Sequence, residues 1–366
     1  MTCFDYSPLL RVLFLGTRQL GYEGLKAIID KGHKVVAICT EDYAITEGYS
    51  YNHFQELAAK YGIPFFKTDK INNDKYYAIF KSLKPDIGVS LYWRRLVREP
   101  VVSLPRLGFI NAHPADLPKY RGFAATSWSI LLGDDITCMC IHKMVDNPQA
   151  DVGDIYKKGY VKIDKNTTIK TLWEKLVPLT IKLTLEVMDE LEKGTAKAEK
   201  QDESKAINAY PRLPRDGEIN WSLSAVEIDR LIRAVTSPYP GAFTFYTGPF
   251  VENARERSDI RKKLFIWKAH VLENPPKFVG MPGHVVRLND DGTVWVTTGN
   301  GILVLDEIQL DGGDIIKPTE LLKSVQIRFG LEISEEIILL HEKIQSLRAE
   351  IAELKREKGV NSNQDD

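Results

Sequence analysis

Cysteine is scarce in this chain: four in 366 residues, at Cys3, Cys39, Cys138 and Cys140. A small disulfide-stapled extracellular scaffold needs a denser set. Cys138 and Cys140 stand one residue apart, the wrong spacing for a zinc knuckle, and no neighbouring Cys or His completes a tetrahedral site. They are read as small buried side chains sharing one face of a strand in a reducing compartment. No apolar run approaches the ~18 residues that a membrane span requires. The opening residues, Met1 to Ser7, lack the basic region and apolar stretch of a secretory signal, so a cytoplasmic protein is expected. Charge of one sign is also missing, because 49 Lys and Arg face 50 Asp and Glu for a net charge of -1. Nothing in the chain as a whole draws it to nucleic acid or anionic lipid. What is present, 43% hydrophobic and 27% charged residues, is an ordinary soluble mixture with length enough for two domains and an appendage.

The first half alternates strand and helix signals. Arg11 to Gly16 is a continuous apolar run ending at glycine, as a strand buried on both faces should be. Helical stretches from Tyr22 to Asp30, His53 to Tyr61 and Asn73 to Leu83 separate it from runs at Lys34 to Cys39, near Phe65, at Ile87 to Leu91 and at Leu107 to Asn111. This order predicts an open α/β sheet, mostly parallel, with helices on both faces. The first strand-to-helix turn carries Gly16 and Gly21, but Arg18 stands at the close-approach position of a dinucleotide fingerprint. A plain tight turn explains the glycines better than a nicotinamide cofactor does.

Residues Thr168 to Lys193 have helical periodicity ending at Gly194, with Pro178 expected to kink or interrupt the helix. After a polar crossing at Ala196 to Asn208 comes a helix from Ala225 to Val235. Short alternating segments then follow at 242–246, 264–267, 284–288, 293–297 and 301–305, which suggest a small antiparallel barrel. Ile337, Leu340, Ile344, Leu347, Ile351 and Leu354 form a heptad seam, flanked by Lys343, Arg348, Glu350 and Lys355, that suits either a paired helix or one docked on its own domain. The expected organisation is a catalytic domain at 1–208, a small β domain at 209–332, an amphipathic helix at 333–358 and a disordered tail at 359–366.

The stretch from Phe109 to Gly122 holds the residues best suited to chemistry. Asn111 and His113, two apart, share a face where a strand ends and a Pro- and Gly-punctuated loop begins, the carboxyl edge at which open α/β sheets bind ligands. Cys138 to Val145 reads as another strand, and Asp151 follows it between a turn and Gly153. An aspartate in reach of an imidazole fixes its orientation. One amide, one imidazole and one carboxylate together suit stabilisation of an oxyanion in acyl transfer. The bland alternative has Asn111 capping a loop, His113 buried and satisfied, and Asp151 opening a turn.

Asn111-x-His113, then Leu117-Pro118-x-Tyr120-Arg121-Gly122, then Asp151-x-Gly153, resembles the signature of the 10-formyltetrahydrofolate-dependent formyltransferases. The resemblance runs from about Arg11 to Glu332. It takes in Pro211-Arg212, Asp216-Gly217-x-Ile219-x-Trp221, Ile232 to Val235 and Pro238 to Ala242, which are similar to the second domain of methionyl-tRNA and amino-sugar formyltransferases. Within that set it looks closest to the branch acting on UDP-4-amino-4-deoxy-arabinose. The resemblance implies a Rossmann-like sheet, then a small OB-like β-barrel and a C-terminal helix.

It also implies 10-formyltetrahydrofolate as formyl donor and no metal. The pterin would lie beside Ser90, Leu91, Tyr92 and Trp93, with Asp151 in reach. Asn111 and His113 would donate hydrogen bonds to the developing oxyanion. Asp151 would hold His113 and help move the amine proton. Tyr120, Arg121 and Gly122 would meet the acceptor, with Arg121 either binding a phosphate or carboxylate or clamping the loop. Where relatives carry Ser-Leu-Leu-Pro this chain has Ala115-Asp116-Leu117-Pro118, and Asp116 either engages the acceptor amine or faces solvent.

The acceptor is expected to be a small amine, most plausibly a nucleotide-linked 4-amino sugar. A tRNA needs many Lys and Arg contacts to phosphate, yet Val36 to Ala59, where methionyl-tRNA formyltransferases carry a basic insertion, has no Lys or Arg and includes Glu41, Asp42, Glu47 and Glu56. Arg255, Arg257, Arg261, Lys262 and Lys263 are basic but read as an exposed hairpin connection. The alternatives are methionyl-tRNA as acceptor, and a silent folate- or nucleotide-binding module acting as an interaction platform. A homodimer through the C-terminal helix is a further expectation.

Overall fold

The computed structural model describes residues 9–42, 49–246, 262–330 and 333–357. Cys3, Glu47, Arg255, Arg257, Arg261 and the tail at 359–366 lie outside these. The chain divides into two units. The first comprises Met1–Glu218, Val226–Ala242 and Ile266–His270; the second comprises Ile219–Ala225, Phe243–Phe265 and Val271–Asp366.

The first unit opens with β1 (Arg11–Gly16), α1 (Arg18–Asp30), β2 (Lys34–Thr40), α2 (Tyr51–Tyr61), β3 (Phe65–Lys67), α3 (Asp74–Leu83) and β4 (Ile87–Leu91). Val12, Leu13, Phe14 and Leu15 of β1 are all fully buried, which is why the sequence reads there as an unbroken apolar run. Next come β5 (Phe109–His113), β6 (Arg121–Gly122), α4 (Ala125–Leu131), β7 (Ile136–Lys143), β8 (Ile155–Lys162), α5 (Ile169–Glu192), β9 (Asn208–Ala209) and α6 (Ala225–Val235). The main sheet has the order β3-β2-β1-β4-β5-β7-β8. β1 to β5 run parallel, whereas β7 is antiparallel to β5 and β8 antiparallel to β7. The order reverses between β1 and β4, which leaves a crevice at their carboxyl ends.

The glycines at the β1–α1 turn are there for packing. A Cβ on Gly24 would lie 2.2 Å from Leu91 Cδ1, and one on Gly16 would lie 2.9 Å from the Leu91 carbonyl oxygen, so α1 rests directly on the end of β4. α5 runs through Pro178 as one 24-residue helix, so of the expected kink or interruption the interruption does not occur. The Pro178 ring removes one backbone donor, while the Thr168 cap and the buried face of Leu172, Leu176, Leu183 and Val187 remain.

The remaining elements are β10 (Ala242–Tyr246), β11 (Lys262–Val271), β12 (Val285–Leu288), β13 (Val294–Thr297), β14 (Ile302–Leu310) and β15 (Ile315–Ile316), followed by α7 (Pro318–Leu321) and α8 (Ile333–Glu357); all fall in the second unit except Ala242 and Ile266–His270. Their sheet has the order β10-β11-β14-β13-β12, with β15 on β14. Lys262 and Lys263 open β11. No described helix is long and apolar enough to cross a membrane.

Candidate active site

β5 ends with Asn111 and His113 on one face of the sheet. β7 lies antiparallel beside it in a register that sets Asn111 opposite His142 and His113 opposite Cys140. A cavity of about 1060 Å³ opens at this edge, lined among others by Arg18, Tyr92, Trp93, Asn111, His113, Gly122, His142, Asp151, Trp173 and Arg212, all within the first unit. Its volume lies at the upper end of the usual range for small-molecule sites, about 300–1,000 Å³.

Asp151 is the hub. Its Oδ2 accepts from the Gly122 amide at 2.9 Å and lies 3.4 Å from His113 Nδ1. Its Oδ1 lies 3.2 Å from His142 Nε2 and 3.4 Å from the Asn111 amide nitrogen, which donates to it. The Asp151 side chain is 11% exposed. Burial on its own raises a carboxyl group; the imidazoles of His113 and His142 and the Gly122 N–H outweigh it and hold Asp151 well below the usual carboxylate range. The backbone is shaped to deliver this side chain. Asp151 adopts φ of 59°, and a Cβ on Gly153 would meet the Lys143 carbonyl at 1.8 Å, so only glycine lets the loop lie against β7.

The other hydrogen bonds fix the orientation of each group. Ser90 Oγ donates to Asn111 Oδ1 at 2.7 Å, which turns the Asn111 amide nitrogen toward Asp151 and His142. His113 Nε2 is 2.8 Å from the Tyr120 carbonyl. A carbonyl only accepts, so Nε2 carries the hydrogen and Nδ1 faces the carboxylate. His142 Nδ1 donates in the same way to the Lys143 carbonyl at 2.9 Å, and its Nε2 lies 3.1 Å from the Asn111 amide nitrogen. The three expected groups therefore converge, together with a fourth that the sequence reading missed. His142 has the same strand parity as Cys138 and Cys140, and that alternation along the predicted strand was the available signal.

The other expected site residues fall into two sets. Tyr92 and Trp93 line the cavity, with the Arg18 guanidinium 4.8 Å from the Tyr92 ring and Trp173 5.5 Å from it. Gly122 lines it as well. Ser90 and Leu91 do not: both are buried behind the wall, where Ser90 steers Asn111 and the Leu91 carbonyl accepts from Thr17. Tyr120 is buried and contributes its carbonyl to His113, while Lys119 lies over its ring.

Arg121 also borders the cavity, and of its two expected roles the contacts are those of the loop clamp. Its side chain is 1% exposed, and its guanidinium donates four hydrogen bonds to Gln201 and Glu203 at 2.6–3.0 Å. Gln201 in turn donates to the carbonyls of Asp151 and Gly153, both at 2.7 Å, so Arg121 clamps the Asp151 loop.

Asp116 lies away from the cavity, in a small separate recess. Lys158 donates to it, as does Tyr160 at 3.3 Å. It approaches Cys138 and Cys140 to within 4.8 Å, a third potential ligand that the sequence spacing did not suggest. The Cys138 thiol is pushed strongly up by its hydrogen bond to Cys140 and by burial, which keeps it protonated. Of the acidic residues between Val36 and Ala59, Glu41 is paired with Arg95 at 3.3 Å and Asp42 with Lys67 at 2.7 Å.

The profile of the family described as "Formyl transferase" matches residues 10–188, and that of "Formyl transferase, C-terminal domain" matches residues 213–326. A methionyl-tRNA formyltransferase of Sulfurihydrogenibium sp. is 30% identical over 325 residues, covering 88% of this chain and 99% of that protein. The bifunctional polymyxin resistance protein ArnA of Wigglesworthia glossinidia brevipalpis is 31% identical over 284 residues, 76% of this chain and 40% of that longer protein. Among solved structures, an N-formyltransferase from Helicobacter canadensis, in complex with folinic acid and dTDP-3-aminofucose, shares the fold. Its TM-score is 0.58 at 18% identity, over 81% of this chain and 98% of that one. The fold and the two matched domains define a group-transferring enzyme of the mostly parallel α/β type. The chain belongs to the formyltransferase family.

Proposed function

We propose that this enzyme moves a formyl group from 10-formyltetrahydrofolate to the primary amine of a small acceptor, a nucleotide-linked 4-amino sugar. The observation that carries the chemistry is the convergence of Asn111, His113 and His142 on the Asp151 carboxylate at the head of the cavity. The wall beside it suits a pterin: Tyr92, Trp93 and Trp173 offer flat apolar surface.

In the reaction a neutral amine forms the new C–N bond to the formyl carbon, whose oxygen gains negative charge. Asn111 and His113 supply the hydrogen bonds to that oxygen. Asp151, kept ionised by its neighbours, accepts the proton that the amine loses and delivers it, directly or through water, to N10 of the folate as the old C–N bond breaks. No electrons are exchanged, and the products are the formamide and tetrahydrofolate.

The sugar-nucleotide reading is supported by the absence of Lys and Arg between Val36 and Ala59. It is also supported by Arg18, Arg94 and Arg212 in the cavity wall, cations suited to a diphosphate. A second reading, methionyl-tRNA, is favoured by 30% identity over nearly the full length of a methionyl-tRNA formyltransferase. The pairing of Glu41 and Asp42 with cations also lessens the repulsion that this segment would offer to phosphate.

The test is a formylation assay with 10-formyltetrahydrofolate and a panel of UDP-, dTDP- and GDP-linked amino sugars beside charged initiator tRNA. Turnover of a sugar nucleotide, with a shallow dependence of binding on salt, is expected. Turnover of the tRNA alone, with a steep dependence, overturns the acceptor assignment.

A further inference from the structure

α8 is a 25-residue helix whose described large apolar side chains are exposed. Ile337, Leu340, Ile344, Leu347, Ile351 and Leu354 are between 47 and 62% exposed, and every side chain described from His341 to Arg356 is exposed. Removing such aliphatic side chains from water is favourable. A surface helix that retained six of them for solubility alone would be poorly chosen. Their spacing identifies what covers them. Alternate steps of three and four residues give a repeat of 3.5, and a stripe of that period stays in register only with a helix of the same period wound about it. A helix docked on a globular surface is free of that constraint and shows a broader stripe.

We infer that α8 pairs with α8 of a second copy of this chain as a parallel, in-register two-stranded coiled coil. The core positions select that assembly. Ile337, Ile344 and Ile351 occupy the a positions and Leu340, Leu347 and Leu354 the d positions, and β-branched a with leucine d is the combination that favours two parallel strands. The seam is self-complementary about a two-fold axis, because each layer sets a residue beside its own copy.

The flanks add a charge pattern. In the parallel register Glu350 at g faces Lys355 at e of the other copy, an attractive pair made twice. Lys343 at g faces Arg348 at e, a like-charge pair also made twice. With three layers of each kind and one repulsive flank, the pair is expected to be concentration-dependent. An antiparallel pair would instead bring Lys343 to Glu350.

The experiment is sedimentation velocity of the full-length protein from micromolar to hundred-micromolar concentration. It includes the variants I344D/L347D, K343E and I344C. A species of twice the chain mass, growing with concentration, is expected for the unmodified protein. I344D/L347D changes positions that are exposed in the single chain and is expected to be monomeric throughout, with the melting midpoint of the folded domains unchanged. K343E turns the repulsive pair into an attractive one and is expected to lower the dissociation constant by about threefold to tenfold. I344C is expected to link to its own copy on oxidation.

A monomer at every concentration, or a dimer that survives I344D/L347D, overturns the inference. Weakening by K343E without a 344–344 link shows an antiparallel pair and overturns the parallel assignment. A trimer or tetramer overturns the two-stranded one.

Discussion

Asp151 and Asp116 sit in the two stretches that carry the family signature, and the structure gives them opposite fates. Asp151 is almost enclosed, meets two imidazoles and takes hydrogen bonds from a side-chain amide and a backbone amide at the edge of the large cavity. Asp116 is about half exposed and is held by Lys158 and Tyr160 in a separate recess. Both are carboxylates close to the motif in sequence. What separates them is whether strand pairing and a glycine-permitted contact bring other polar groups to the same point. A carboxylate becomes part of a site through the donors arranged around it, and those donors come from several elements.

Mutations sharpen this contrast, from large effects to small. Asp151→Asn keeps the shape but loses the charge and the proton acceptor, and is expected to lower turnover about a thousandfold in a single-turnover assay. His113→Ala is expected to lose about a hundredfold in turnover with a smaller change in KM, the pattern for an interaction made in the transition state. Arg121→Met breaks the buried clamp on Gln201. It is expected to lower stability by about 2–3 kcal/mol in denaturant unfolding and, by loosening the Asp151 loop, to lower turnover by about tenfold. Asp116→Ala is expected to leave turnover within about threefold, since Lys158 and Tyr160 are solvent-accessible partners; a hundredfold loss would erase the distinction between the two aspartates.

The pH dependence of stability separates them as well. Asp151 in the folded protein has its pKa depressed below the unfolded value. Its contribution is therefore fully present above the unfolded carboxyl pKa, about 3.9, and is lost as pH falls through the lower folded value. The increment in stability gained between strongly acidic pH and about pH 5 should shrink in Asp151→Asn and be nearly unchanged in Asp116→Ala, as read by urea unfolding at a series of pH values.

Much of this was legible in the sequence, and the reasons differ by region. The unbroken apolar run of β1 and the glycine-ended turn indicated a parallel sheet buried on both faces, because a central strand tolerates no polar alternation. Asn111 and His113 were legible because a two-residue spacing at a strand end places both on one face. For His142 the strand parity with Cys138 and Cys140 indicated only a shared face; its place beside Asn111 depends on the register between β5 and β7, a tertiary fact. Which of its two expected roles Arg121 takes was not legible either, because its partners Gln201 and Glu203 lie some eighty residues further on. Tyr120 differs again, since it is the backbone carbonyl that meets His113, and no side-chain pattern reports that.

The most direct test of the account is the rate of formyl transfer in Asp151→Asn, measured in single turnover from 10-formyltetrahydrofolate, beside a folate-binding measurement on the same protein. A loss of about three orders of magnitude in rate is expected, with tetrahydrofolate binding reduced by less than about tenfold. A variant that transfers formyl at the rate of the unmodified enzyme would contradict it, and the converging groups around Asp151 would then be scaffolding.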